Sequence, residues 1–131
     1  MGLDRLLRHP RAEPLLLAAA LVTWWCVAVG STLGKSGTSD EFFHIIGGAS
    51  YWWLNDYRLH PENGNLPQRW CAIPLVLAGW PLPSSEHPGW ATSNMWTLSR
   101  AYLFENGHPS WWMFLWARAF AAIWGALVAL L

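Results

Sequence analysis

Charge is what this 131-residue chain has least of: 12% of its residues are charged, against about 25% in ordinary soluble domains. Eight basic residues balance eight acidic ones, and the formal net charge of zero leaves no electrostatic footprint for nucleic acid. Cysteine is almost as scarce. Cys26 lies inside an apolar run and Cys71 in a later tryptophan-rich segment. Two free thiols are expected, with no disulfide framework. The chain also has no internal repeat and no low-complexity tract. What it has in excess is apolar surface, with 53% hydrophobic residues and 12 tryptophans. That balance reads as a membrane protein.

The run "PLLLAAALVTWWCVAVGSTL", Pro14 to Leu33, carries no charge. Its about 20 residues, rising about 1.5 Å each, match the about 30 Å hydrocarbon core of a bilayer. Arg5, Arg8 and Arg11 precede it, whereas only Lys35 follows closely. The positive-inside bias therefore puts residues 1–13 in the cytoplasm and residues 34–110 outside. A cleaved signal peptide is the alternative, but Trp24 and Trp25 spoil the approach to a cleavage site. A second apolar segment, "WWMFLWARAFAAIWGALVALL", runs from Trp111 to Leu131 and is broken only by Arg118. A charge near a helix centre costs about 2.5–3.5 kcal/mol, so the cheaper placement sets Arg118 at the outer interface beside Trp111, Trp112 and Trp116. About 13 residues, or about 20 Å of helix, then remain for the bilayer, which is too short to cross. Residues 111–131 are accordingly expected to be the start of a span in a longer, multi-pass protein.

Residues 34–110 hold few apolar positions apart from tryptophan and proline, and they read as membrane-lying segments without a self-sufficient core. "RWCAIPLVLAGW", Arg69 to Trp80, is interrupted by Pro74 and fits an interfacial or re-entrant helix. Pro81 to Asn94 reads as a turn-rich connector, followed by a short helix capped by Ser93 and closed by Gly107. The expected fold is therefore an all-α membrane protein, with two transmembrane helices flanking an outer loop that carries short amphipathic juxtamembrane helices.

The most informative stretch is "TSDEFFHIIGGASYWWLND". Thr38 or Ser39 supplies an N-cap, Asp40 and Glu41 fall in the first turn where the helix dipole favours anions, and Asn55 allows a stop. Asp40, His44, Gly48, Tyr51 and Asn55 share one stripe, while Glu41 lies about 100° round the helix. The glycines Gly47 and Gly48 permit close approach of another element. Asp40 and Glu41 as mere dipole-complementing charges are the plain alternative.

This order of features, a first span with its N-terminus inside, the acids Asp40-Glu41, His44, the Gly47/Gly48 to Tyr51 spacing, "DYRLHPE" from Asp56, "LP" at Leu66-Pro67, "IPL" at Ile73, and Ala117-Arg118, resembles the start of the GT-C fold glycosyltransferases. These multi-pass enzymes include the protein O-mannosyltransferase and aminoarabinose transferase relatives. The likeness covers residues from about Leu15 to Leu131, and it departs from the pattern at "ENGNLP", where many relatives have "HPPL". The resemblance implies an inverting transfer of sugar from a polyprenyl-phosphate donor to an unspecified acceptor, on the outer face of a bacterial inner membrane. Asp40 matches the family's first-loop acid and is the expected general base, because an acceptor hydroxyl needs a carboxylate to take its proton. Glu41 is the supporting acid, orienting the site, holding a loop or serving the dipole. His44, one turn on, is expected to hydrogen-bond Asp40 or contact substrate, with a plain helix-surface histidine as the alternative.

Arg58, His60, Arg69 and Arg100 are the cations available for the leaving phosphate, each also suited to snorkelling at the interface. Arg118 is expected to pack its guanidinium against loop carbonyls. No metal or other cofactor is expected, since the acids and His44 do not converge as zinc motifs do. The rival class is a non-catalytic two-pass scaffold that binds lipid or a partner through its tryptophans. The fragment by itself is expected to be inactive.

Overall fold

A computed structural model describes residues 12–131 and, within them, five helices and no strand. The arginines Arg5, Arg8 and Arg11, and with them the inference of a cytoplasmic N-terminus, lie outside the described residues. Helix α1 (Ala12–Gly30) and helix α5 (Ser110–Val128) are each long and apolar enough to cross a membrane, with mean hydropathy 1.8 and 1.4. The first ends three residues before the expected Leu33, because residues 31–34 turn through short-range backbone bonds such as Thr32 N–H to Val29 O. The two helices pack on each other, and the indole of Trp25 donates to the Ala119 carbonyl at 2.9 Å. Trp24 covers Gly125 so closely that a Cβ there would collide with its ring.

Between them lie α2 (Ser39–Leu54), α3 (Asn65–Leu77) and α4 (Met95–Phe104). Helix α2 begins in a capping box: Glu41 N–H donates to Thr38 Oγ1, and the Thr38 N–H donates to Glu41 Oε2 at 2.8 Å. It ends where Asn55 adopts a left-handed conformation, φ 52°, as the stop signal suggested. Two boundaries differ from expectation. Helix α3 starts four residues earlier than Arg69, because Pro67 sits in its first turn where a missing N–H costs nothing, and Pro74 is accommodated inside it. Helix α4 is capped by Asn94, whose side chain accepts from Thr97 N–H, while Ser93 takes a left-handed φ of 50° ahead of it; the helix stops at Phe104, before Gly107.

The larger correction concerns the core. Ile45, Ile46 and Ala49 of α2, Leu59 of the loop that follows it, Ala72 and Leu75 of α3, Leu98, Tyr102 and Leu103 of α4, and Met113 of α5 form one buried cluster. The helices of segment 34–110 therefore share a core, which the sequence was not expected to supply: α2 packs on both α3 and α4, and α3 packs on α5. Spacing along a single helix could not reveal this, since an apolar face suits lipid and protein alike.

Gly48 is the point of closest approach between α2 and α3, since a Cβ on it would run into the Gln68 carbonyl and the Ala72 side chain. Gly48→Ala is expected to destabilise the fold by about 1–3 kcal/mol through overpacking against backbone. Gly47→Ala is expected to cost less, because the nearest atom there is a side-chain oxygen, Gln68 Oε1 at 2.7 Å, rather than backbone. Thermal unfolding of the two variants side by side checks the order.

Candidate functional site

The two adjacent acids are used in different ways. Glu41 turns toward α5, where Arg118 Nε donates to its Oε1 at 2.6 Å and Arg118 Nη2 to its Oε2 at 2.8 Å. The same guanidinium donates to the carbonyls of Thr32, Lys35 and Ser36 at 3.0–3.2 Å. Arg118 thus ties the end of α1, the connecting turn and the first turn of α2 to the second span. The packing against loop carbonyls was legible beforehand; the two-pronged pair with Glu41, 77 positions away in sequence, was not. Burial pushes the Glu41 carboxyl up, but hydrogen bonds from Arg118 and Thr38 outweigh it and hold the group below the usual carboxylate range.

Asp40, one residue earlier, is exposed and makes no hydrogen bond or ion pair among the described residues. Along its face, His44 meets His60 with ring centroids 5.0 Å apart, and Phe43 sits edge-on to Trp96. His60 is buried beneath the N-terminal half of α2. Its carbonyl accepts from Tyr51 Oη at 2.9 Å and Gln68 Nε2 at 3.0 Å, and its Nε2 faces Asn63 Nδ2 at 2.8 Å. The Nδ1 atoms of both histidines are buried without a hydrogen-bond partner. Gln68, fully buried and also bonded to the Asn63 carbonyl, fastens this loop to α3. Nothing in the sequence singled it out, because a helical glutamine reads as surface.

A cavity of about 160 Å³ lies beside this pair, lined by Glu41, His44, Ile45, Cys71, Ala117 and Arg118. Cys71 is a free thiol, as is Cys26. Burial, with the Glu41 carboxylate nearby, pushes the Cys71 thiol up to about 11, so it is no nucleophile. Among the described residues no three His, Cys, Asp or Glu side chains converge in a metal-binding arrangement.

Arg58 and Arg69 are not brought to Asp40. Arg58 is engaged by Asp56 at 2.7 Å, and Arg69 stacks over the Trp52 ring at 4.6 Å. Trp52 lies twelve positions along α2 from Asp40, about 18 Å at helical rise. Arg100 pairs with Glu105 at 2.9 Å on the exposed face of α4. The residues that do gather at the N-terminal half of α2 are Arg118, which meets Glu41, and His60, which meets His44.

Burial and the neighbouring His60 lower the affinity of His44 for a proton, so its folded pKa lies below the ordinary 6.5. Below pH 6.5 the unfolded chain therefore binds more protons than the folded one, and stability falls as the pH drops through the folded value. Glu41, held below 4.5, adds a second loss as the pH falls under 4.5. His44→Gln is expected to flatten the upper limb and leave the lower one. Melting temperatures taken from neutral pH downwards check this.

No protein-family model, curated protein or solved structure matches the chain.

Proposed function

We propose that the protein is a membrane glycosyltransferase of the GT-C type, transferring a sugar from a polyprenyl-phosphate donor to an acceptor on the extracytoplasmic face. The observation that carries the reading is the division between two adjacent acids: Glu41 is locked to Arg118, while Asp40 beside it is held in place by the same helical turn and makes no ion pair among the described residues. A carboxylate that must accept a proton is best kept free of a cation, which would make it a weaker base. Its neighbour's anchor fixes its position without consuming its lone pairs.

In this reading an acceptor hydroxyl attacks the anomeric carbon as Asp40 takes its proton. The bond from that carbon to the phosphate oxygen breaks, the polyprenyl phosphate leaves with the electron pair, and the configuration inverts. His44, one turn from Asp40, is the polar group placed to touch substrate. Arg118 acts through Glu41 as a positioning residue. The two long apolar helices support a membrane setting.

The test is transfer of a labelled sugar from a polyprenyl-phosphate donor by the full-length protein in membranes, with Asp40→Asn as the diagnostic variant. Transfer that survives Asp40→Asn at the native rate overturns the assignment of the base.

A further inference from the structure

Where α1 ends, the turn through residues 31–36 faces the first two turns of α5. The crevice between them holds about 320 Å³ and is lined by Leu33, Lys35, Ser36, Trp111, Leu115 and Arg118, among others. Its chemistry is divided. Leu33, Leu115 and the exposed ring of Trp111 form an apolar flank. Lys35 and Ser36 form a polar flank.

The charge on the crevice's own lining has a definite sign. Arg118 is neutralised by Glu41, with which it makes its two shortest contacts. Lys35 takes no part in the ion pairs among the described residues, so one positive charge is left over among the lining side chains; the exposed carboxylate of Asp40 is outside that lining. Backbone carbonyls would ordinarily repel an anion at a turn. Here those of Thr32, Lys35 and Ser36 are already occupied by the Arg118 guanidinium. The Ser36 hydroxyl and the Trp111 indole N–H take no protein partner among the described residues and remain as donors.

A lysine, a hydroxyl and an indole donor beside a strip of leucine and tryptophan match an amphiphile with an anionic head. The crevice lies at the ends of the two helices long enough to span a membrane, next to the edge-to-face rings of Trp111, Trp112 and Trp116. Tryptophan clusters of this kind mark the headgroup level of a bilayer.

We propose that this crevice binds the phosphate of an anionic phospholipid, with Lys35 and Ser36 on the head and an acyl chain along Leu33, Leu115 and Trp111. The shared chemistry is a phosphate anion, and a free phosphate is the other source. An occupied crevice braces the three carbonyls that hold Arg118, and through Arg118 and Glu41 it steadies the turn carrying Asp40. The inference rests on the membrane setting of the proposed reading, not on sugar transfer.

The full chain, stripped of lipid in mild detergent, is offered equal amounts of phosphatidylglycerol and phosphatidylcholine, and retained lipid is read by native mass spectrometry. Preference for phosphatidylglycerol is expected at about fivefold, the factor one lysine supplies at an anionic surface. Lys35→Gln is expected to abolish the preference and Lys35→Arg to retain it. Because residue 35 is exposed, both variants should keep the parent's circular dichroism. Inorganic phosphate is then added as competitor. Displacement of the lipid supports the phosphate site with free phosphate as a second ligand, and resistance to it supports the lipid as the source. No preference in the parent chain, or a preference that survives Lys35→Gln, overturns the proposal. Neither result depends on transfer activity, so the site and the enzyme reading stand or fall separately.

Discussion

Arg118→Ala is expected to loosen the whole junction between the two long helices and the segment they enclose. The substitution strips two charge-assisted bonds from Glu41 and one guanidinium from three carbonyls at once. Both side chains are largely removed from solvent, 14% and 29% exposed, so water replaces the lost partner poorly. Removing one member of a buried pair costs about 3–5 kcal/mol, and the partial exposure here places the expected loss near the lower end, about 3 kcal/mol.

Arg118→Lys should fall between, because an ammonium supplies charge but not the planar fork that reaches both carboxylate oxygens. The double variant Glu41→Gln with Arg118→Met should recover part of the loss, since no buried charge is left unpaired. Thermal unfolding in detergent, followed by near-ultraviolet dichroism of the tryptophans, reads all three. A melting curve for Arg118→Ala within about 0.5 kcal/mol of the parent would sink the idea that this cluster holds the fold.

Asp40→Asn is expected to have the opposite profile, with little effect on stability and a large one on transfer. The side chain is exposed and bonds to nothing among the described residues, so the isosteric amide removes no native contact. An amide cannot accept the acceptor's proton, and loss of general-base catalysis is worth about 10²–10⁴-fold in rate. The comparison that matters is with Glu41→Gln. That change should lower transfer through misplacement of the turn and should lower the melting temperature with it, whereas Asp40→Asn should lower transfer alone. Equal losses of stability in the two variants would refute the division of labour between the acids.

An N-cap at Thr38 or Ser39, the dipole-facing acids and the stop at Asn55 were all readable in "TSDEFFHIIGGASYWWLND", because each depends on neighbours within four positions; that Thr38 and Glu41 cap each other reciprocally came from the structure. The close approach at the paired glycines was readable too, for a residue without a Cβ advertises contact, though not with what. The partner, the Gln68 backbone on α3, appears only once the chain has turned back on itself.

Local pattern alone therefore determined the five helical segments to within a few residues, the two long apolar helices, and the contrast between Asp40 and Glu41 as positions about 100° apart on one helix. Tertiary structure decided what those positions face. It gave Glu41 an arginine from the far end of the chain and left Asp40 open. It buried His60 against His44, and it sent Arg58 and Arg69 to the other end of α2. It also gave the segment between the long helices a packed core that its composition did not promise. The physical reason is that an ion pair or an apolar contact depends on distance in space, and a chain that folds back brings together groups whose separation in sequence carries no periodic signal.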